Sequence, residues 1–366
     1  MRKPRVKRVH VPTVYPDGRI RISYGQYGVA AELEDDAEGN IARILTLMDG
    51  TRDTEQICAD FVANSPGVDQ ENVREIVEAL IAEGFVEDAE AAPPTNLSAQ
   101  ELERYAPARD FYSWIDTIPR ESPYTIQSRI KQAKVALLGL GGTGSAVAAG
   151  LVASGIGALH VADFDDVQES NLTRQLLYTE QDIGKPKVER AVARLRAMNS
   201  LVTVTGGDLK ATGADDMAAL MADCDVFVLC ADEPHPDIML WTNEAALRTG
   251  TPWFASFYAG PMAVVSSFHP GETGCWRCMR LDEDRKKQAS GQRDLTYDEV
   301  RPNAVTAANA NVSGHLCALE IIYHLGGLRT QTRGRVFHWN FAVWDHAYAV
   351  DVVRHDDCPA CGSAGG

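Results

Sequence analysis

Glycines are concentrated in one segment directly after an apolar run, and this segment is the clearest candidate for chemistry. Gly139, Gly141, Gly142 and Gly144 follow Lys134–Leu138 and precede a stretch of small apolar residues. Glycines let backbone N–H groups approach a phosphate, and a helix N-terminus offers unpaired N–H groups and the positive end of its dipole. The pattern predicts a strand, a phosphate loop and a helix, as in any nucleotide-binding Rossmann domain. The alternative is a tight strand–helix turn that binds nothing.

Acidic and cationic residues follow the loop. Asp163 lies about 20 residues beyond it, where an acidic residue commonly binds ribose hydroxyls, and Asp165 comes next. The segments SNLTRQ at 170–175 and GKPK at 184–187 then supply Arg174, Lys185 and Lys187. Cations beside a phosphate loop suit a triphosphate better than a dinucleotide, because Arg offers phosphate a planar fork and Lys a point charge. A nicotinamide oxidoreductase is therefore disfavoured.

Four of the eight cysteines form two Cys-x-x-Cys pairs, and the members are Cys275, Cys278, Cys358 and Cys361. Four thiolates in this arrangement suit tetrahedral Zn²⁺ in a closed, structural site. A redox role is the alternative, and the presence of two pairs favours the metal. The remaining cysteines lie in apolar patterns and are expected in the core, and they are Cys58, Cys224, Cys230 and Cys317.

Length and charge limit the possible functions. A chain of 366 residues accommodates two domains, and a net charge of −16 argues against a nucleic-acid partner. The sequence has no apolar run of about 18 residues and no signal-peptide pattern, so we expect a cytoplasmic protein without a membrane partner. The basic residues among the first eight are expected to form a frayed, solvated terminus.

The hydrophobic pattern predicts two domains joined by a linker. Residues 1–88 form a small α+β domain, with strand-like alternation at 9–24 and helical patterns near 38–48, from 53, and at 69–83. Residues 89–99 resemble a linker. Residues 100–366 alternate strands and helices, which predicts an α/β fold with a Rossmann-like, mostly parallel sheet and an antiparallel extension after Trp253.

The motifs Gly-x-Gly-Gly-x-Gly, Asp-x-Asp, Ser-Asn-Leu-x-Arg-Gln and Gly-x-Pro-Lys, in this order, resemble those of the ThiF/MoeB/HesA adenylyltransferases, over roughly residues 98–362. The resemblance implies that a substrate carboxylate attacks the α-phosphorus of ATP, giving an acyl-adenylate and pyrophosphate. It assigns the glycines, Asp163, Asp165, Asn171 and Gln175 to nucleotide binding, with Asp163 on the ribose. It assigns catalytic roles to Arg174, Lys187 and Asp232, and makes Asp232 the Mg²⁺ ligand.

Three charged residues near these motifs have roles that the family pattern leaves open. Asp232 could be a helix N-cap before Pro234, and Lys185 a surface lysine. Arg109 is a candidate for an arginine that reaches the ATP of a partner subunit, although it is displaced by two positions from the family pattern. A homodimer is expected from the family alone.

The segment after the first cysteine pair bears on the reaction. Relatives that transfer the acyl group to a thiol carry a cysteine there, whereas residues 279–316 contain none. We therefore expect direct attack on the adenylate, without an enzyme thioester. The polar stretch 282–299 is predicted to be a loop over the active site, with a helix from about Asn303.

Residues 1–88 resemble the PqqD-like domains, winged-helix-like modules that recognise precursor peptides. The resemblance implies that a leader peptide adds a strand beside Arg19–Tyr24 and contacts Val73, Arg74 and Val77. A dimerisation or regulatory module is the alternative.

Together the two resemblances predict an enzyme similar to the microcin C-type and pantocin-type activating enzymes. It would adenylate a C-terminal or Glu/Asp side-chain carboxylate on a ribosomally made precursor peptide, bound through its leader. The alternatives are activation of a ubiquitin-like sulfur carrier, and a non-catalytic partner that presents a leader to a cyclodehydratase.

Overall fold

The chain divides into two compact units, Met1–Arg129 and Ile130–Gly366. The structure is a computed structural model that describes residues 2–23, 30–291 and 304–362. The predicted linker at 89–99 and residues 100–129 belong by their packing to the first unit. The predicted division into a domain at 1–88, a linker at 89–99 and a domain at 100–366 stays a prediction.

The first unit combines short strands with helices. In chain order they are β1 (Pro4–Val6), β2 (Pro12–Val14), β3 (Arg19–Ile22), β4 (Ala31–Glu34), α1 (Asn40–Leu47), α2 (Thr54–Ala63), α3 (Gln70–Ala82), β5 (Val86–Asp88), α4 (Ala99–Arg104), α5 (Ala106–Ile115) and α6 (Thr125–Ile130). Helices α1–α3 correspond to the three helical patterns of the sequence. Their apolar faces enclose a small core with β3, in which Ile20, Ile44, Ile57 and Phe61 are buried.

The basic N-terminus is ordered by long-range pairing, so the prediction of a frayed terminus is wrong for this segment. Strand β1 pairs antiparallel with β5, from Pro4 opposite Asp88 to Val6 opposite Val86. Lys7 is 6% exposed, and its Nζ donates to the carbonyl oxygen of Asp116 at 2.6 Å. Burial lowers the pKa of Lys7.

The predicted peptide-binding surface is also corrected. In the sheet β2-β3-β4, strand β3 pairs on both sides, so Arg19–Ile22 is not an edge. Tyr24 lies outside the described residues. Val73 and Val77 are buried in the core, and Arg74 pairs with Glu55. The edges of this sheet are β2 and β4.

The second unit contains the larger sheet. Its elements are β6 (Lys134–Leu138), α7 (Gly142–Ala153), β7 (Ala158–Asp163), α8 (Lys187–Met198), β8 (Thr203–Asp208), α9 (Ala214–Met221), β9 (Val226–Leu229), α10 (Asp237–Thr249), β10 (Trp253–Ala259), β11 (Met262–Phe268), α11 (Trp276–Ser290), α12 (Ala307–Gly326), β12 (Arg335–Asn340) and β13 (Ala347–Asp351). Two 3₁₀ helices, Glu169–Thr173 and Glu180–Asp182, lie between β7 and α8.

The eight strands that the described residues place in this sheet follow the order β13-β12-β11-β10-β9-β6-β7-β8. Strands β8, β7, β6, β9 and β10 are parallel to one another, whereas β11, β12 and β13 pair antiparallel. This arrangement confirms the predicted fold class. The chain leaves β6 for β7 on one side and later returns to β9 on the other. Open α/β sheets bind ligands at such a switch point, beyond the carboxyl ends of the strands.

A helix occupies part of the segment for which the sequence predicts a loop. Residues 276–290 form α11, so the predicted loop from Asp282 is wrong as far as Ser290, and residues 292–303 lie outside the described residues. None of the helices in the described residues is long and apolar enough to cross a membrane.

The position of β3 can be tested by substitution. Ile20→Ala should lower the free energy of unfolding by about 2–5 kcal/mol, because Ile20 is fully buried. Val14→Ala, at a side chain 56% exposed on β2, should change it by less than about 0.5 kcal/mol. Urea unfolding followed by fluorescence measures both, and equal effects would contradict this register.

Candidate active site and metal centre

The glycine loop is shaped by contacts that leave no room for a side chain at Gly139 or Gly144. Gly139 has φ +96°, and a Cβ there would lie 2.5 Å from the backbone nitrogen of Ala231. A Cβ on Gly144 would lie 1.8 Å from the carbonyl oxygen of Gly139. The loop therefore turns tightly from β6 into α7 and touches the chain that leaves β9. The sequence predicts that this loop cradles a phosphate.

Asp163 fixes this loop to the end of β7. Its carboxylate is buried and accepts the N–H of Leu140 at 2.6 Å and the N–H of Asp165 at 2.9 Å. The carbonyl oxygen of Leu140 accepts the hydroxyls of Ser145 and Tyr178 at 3.0 and 3.1 Å. Burial raises the pKa of Tyr178, which keeps its hydroxyl a donor. Sequence reasoning missed Ser145 and Tyr178.

Asp165 and Lys187 form an ion pair at the start of α8. The Nζ of Lys187 lies 2.7 Å from Oδ2 of Asp165, and the side chains are 6% and 45% exposed, respectively. The N–H of Lys187 also donates to the carbonyl oxygen of Asp165. A buried ammonium needs a compensating anion, so this lysine is held where an anionic ligand could share it. Lys185, by contrast, is exposed, and its Nζ donates to the carbonyl oxygen of Gln181.

Arg174 and Gln175 lie against the glycine loop. A Cβ built on Gly142 would lie 3.3 Å from the Cγ of Arg174. A Cβ built on Gly141 would lie 3.9 Å from the Nε2 of Gln175. The Nε of Arg174 and the Oε1 of Gln175 are buried and have no hydrogen-bond partner among the described residues. An unpaired buried donor and acceptor beside a glycine cradle fit a ligand that offers both, such as a nucleotide with its phosphates and hydroxyls.

Helix α12 supplies residues that sequence reasoning did not assign to the site. Asn311 donates from Nδ2 to the carbonyl oxygen of Arg174 at 3.1 Å, which orients that segment. Gly314 permits close packing on α7, since a Cβ there would lie 2.4 Å from the carbonyl oxygen of Thr143. The signal that could have revealed this contact is the run of small residues at 307–314.

Two predicted residues occupy less central places. Asn171 is buried, and its Oδ1 accepts the N–H of Gln168 at 3.1 Å, so it shapes the 3₁₀ helix before Arg174. Asp232 is exposed and follows Ala231, whose backbone meets Gly139. Arg109 belongs to the first unit, where it bonds to Asp110 and Tyr124.

The four paired cysteines form one cluster. The Sγ atoms of Cys275, Cys278, Cys358 and Cys361 all lie within 4.8 Å of one another. Glycines at 274 and 362 let the two knuckles close, since a Cβ at either would lie within 2.6 Å of a backbone oxygen. The cluster can hold a metal ion, and four cysteine sulfurs are the donor set of a structural zinc site.

The metal-free thiols differ in acidity. Burial raises the pKa of Cys275 to about 11. For Cys358, burial acts in the same direction, but hydrogen bonds from the N–H groups of Ala360 and Cys361, together with those of the Cys278 and Cys275 side chains, outweigh it and bring the pKa to about 7. A metal ion must displace protons from such thiols, so its affinity rises with pH.

Comparisons with known proteins agree with this geometry. The ThiF family profile matches residues 115–360. The sulfur carrier protein ThiS adenylyltransferase of Bacillus subtilis is 32% identical over 242 residues, 65% of this chain and 67% of that protein. The molybdopterin-synthase adenylyltransferase of Escherichia coli is 29% identical over 236 residues, 64% of this chain and 90% of that protein.

Solved structures resemble the whole chain. Crystal structures of E. coli MccB with ATP and with MccA-N7isoASN give TM-scores of 0.76 and 0.78. Each MccB chain is 23% identical to this chain, and the superposition covers 98% of this chain and 99% of the MccB chain.

The family match and the named relatives define an ATP-dependent adenylyltransferase. The chain belongs to the ThiF family.

The glycine cradle can be tested directly. Gly144→Ala should weaken ATP binding at least tenfold, because the added Cβ would collide with Gly139 and displace the loop. Gly213→Ala is the control, since nothing lies within 4 Å of its Cβ. Calorimetric titration with ATP measures both, alongside their melting temperatures. Equal ATP affinity in a folded Gly144→Ala protein would contradict the cradle.

Metal content tests the cysteine cluster. We expect one zinc per chain by mass spectrometry, lost in Cys361→Ser and kept in Cys224→Ala, which lies outside the cluster. Removal by a chelator should destabilise the second unit by several kcal/mol, given the order of 10 kcal/mol that structural zinc contributes to small domains. Chelation should be easier at lower pH, where protons compete for the sulfurs. A stable, metal-free wild-type protein would refute this assignment.

Proposed function

We propose that the enzyme adenylates a carboxylate on a ribosomally made precursor peptide, either the C-terminus or a Glu/Asp side chain. The observation that carries the proposal is the extent of the likeness to MccB. It covers both compact units, and one of the MccB crystals contains AMPCPP and MccA. The ThiF family profile, in contrast, begins at residue 115. A first unit shared with a peptide-binding enzyme supports a peptide substrate.

Nucleotide binding is proposed for the residues around the loop. Gly139, Gly141, Gly142 and Gly144 would cradle the phosphates. Because the carboxylate of Asp163 already accepts two backbone N–H groups, the more exposed Asp165 is the better placed of the two acids to accept a ribose hydroxyl. Asn171 would orient Arg174, and Gln175 would pair its free Oε1 with a nucleotide donor.

The chemical step would join a substrate carboxylate oxygen to the α-phosphorus and break the bond to the β-phosphate oxygen. Negative charge builds up on the departing pyrophosphate. Arg174 and Lys187 would stabilise that charge from fixed positions, which is the most effective form of electrostatic catalysis. Asp232 would hold Mg²⁺, which would neutralise phosphate charge when bound.

The adenylate would then react directly with a nucleophile, and AMP would leave. Residues 279–316 contain no cysteine, so the segment that follows the first cysteine pair offers no thiol to receive the acyl group. An amine, an amide or a side chain of the peptide itself is the nucleophile that this reaction needs. Zinc would keep a structural role.

The first unit would recognise the leader as a PqqD-like domain does. A peptide could add to either edge of its three-stranded sheet, β2 or β4. On β2, Val14 is 56% exposed and offers an apolar contact. A homodimer in the cytoplasm is proposed from the family resemblance.

A sulfur-carrier protein is the second candidate substrate. It is favoured by the names of the curated relatives, which match about 65% of this chain at 30–32% identity. A non-catalytic leader-presenting role is disfavoured because Arg174, Lys187 and Asp232 are all present.

ATP–pyrophosphate exchange tests the proposed reaction. Exchange should require a precursor peptide with its leader, and a ThiS-type carrier protein should not replace it. Lys187→Ala should reduce exchange at least a hundredfold, because a fixed cation at the leaving group is lost. Asp232→Ala should reduce it strongly at low Mg²⁺.

Lys185→Ala is the matched control, since that side chain is exposed two residues away, and its exchange rate should stay near wild type. Exchange driven by the carrier protein alone would replace the peptide proposal with sulfur-carrier activation. Tight leader binding without exchange for any substrate would favour the scaffold.

A further inference from the structure

A cationic pocket is formed by residues of the first compact unit alone. It encloses about 220 Å³ and is lined by Arg5, Arg8 and Arg109, with Glu87 and Asp110 beside them. None of these residues takes part in the proposed adenylation chemistry. Three guanidinium groups therefore line one cavity in a chain whose net charge is −16.

Two of the arginines are held in place by neighbours. Arg5 donates from Nε and Nη2 to Oε1 of Glu87 at 3.0 and 2.6 Å. Arg109 donates to Oδ1 of Asp110 and, at 3.0 Å, to the hydroxyl of Tyr124, and its guanidinium lies 5.1 Å from the centre of that ring. A guanidinium has five N–H donors, so both groups are oriented and still have donors to offer.

The third arginine is uncompensated. Arg8 is exposed and makes no ion pair with any of the described residues, whereas Glu87 and Asp110 are each engaged by another arginine. The three cations and two carboxylates leave the pocket with one positive charge. An anion that enters would be met by Arg8 and by the remaining N–H groups of Arg5 and Arg109.

The size of the pocket limits that anion. The pocket is smaller than most sites for small molecules and cofactors, which usually enclose about 300–1,000 Å³. A single acidic side chain fits, and the planar fork of Arg matches a carboxylate. We propose that this pocket binds a Glu or Asp side chain of the precursor peptide. The inference rests on the proposed peptide substrate and adds that the peptide carries an acidic anchor residue.

Selection from a peptide library tests the inference. Phage-displayed random decapeptides would be selected on the immobilised full-length protein and on two variants, Arg8→Gln and Arg2→Gln. Arg2 is an exposed residue outside the pocket lining, and its substitution removes the same charge. Wild type and Arg2→Gln should enrich Asp and Glu over Asn and Gln at least fivefold at one position, and Arg8→Gln should lose that enrichment.

Calorimetry on the enriched peptide provides the second measurement. Replacing the selected Glu or Asp by Gln or Asn should weaken its binding to wild type at least tenfold, and should change its binding to Arg8→Gln by less than twofold. Because Arg8 has no ion pair to lose, the variant should keep its melting temperature. Arg5→Gln and Arg109→Gln provide independent variants of the same pocket.

Three results would overturn the inference: equal acid enrichment with Arg8→Gln, no acid enrichment with wild type, or binding of inorganic phosphate alone that Arg8→Gln abolishes. The last result would make the pocket a site for free anions. If pyrophosphate exchange depends on the leader but the selected peptides show no enrichment of Asp or Glu, only this inference fails. If the peptides are enriched in Asp or Glu but no exchange occurs, only the proposed reaction fails.

Discussion

The carboxylate of Asp163 is the point on which the glycine loop and the proposed nucleotide site depend. It accepts one N–H from the glycine loop and one from the chain leaving β7, so it joins two strand ends through charge-assisted hydrogen bonds. The loop, the ion pair of Asp165 and Lys187, and the segment carrying Arg174 are all positioned relative to these ends. Removing this carboxylate would leave buried N–H groups unpaired at the centre of the site.

Helix α12 and the cysteine cluster complete the site from distant parts of the sequence. The helix packs on α7 through Gly314 and reaches Arg174 through Asn311. The cysteines join the start of α11 to the C-terminal segment after β13. A metal ion held by the four cysteines would close the chain between them, which includes α12, into a loop, and this would lower the entropy that its unfolding gains. Such a metal would take no part in the proposed chemistry, but it would limit the freedom of a helix that contacts Arg174 through Asn311.

The sequence was most informative where backbone geometry permits only one residue type. Gly139 and Gly144 are required by steric contacts, and the two Cys-x-x-Cys pairs by ligand chemistry, so the loop and the cysteine cluster could be located from spacing alone. The roles of the charged residues at the loop remain predictions, although the structure brings Asp165 and Lys187 together as a pair.

Three elements could not be predicted for physical reasons. Strand β4 contains Glu32 and Glu34, which disfavour strands, and it is stabilised by pairing of Glu32 with Arg21 on β3 at 2.8 Å. Strand β1 forms only by pairing with β5, which is more than 80 residues away in the chain. Helix α11 is rich in charge and resembles a loop, but most of its residues favour helices and buried Trp276 and Cys278 anchor its start.

The unequal exposure of Lys187 and Asp165 gives the active site a direction of evolutionary decay. Loss of Asp165 alone strands a buried ammonium, which is costly, whereas loss of Lys187 leaves a carboxylate that water can still reach. A lineage that abandons catalysis and keeps the fold can therefore lose the lysine first at little cost to stability.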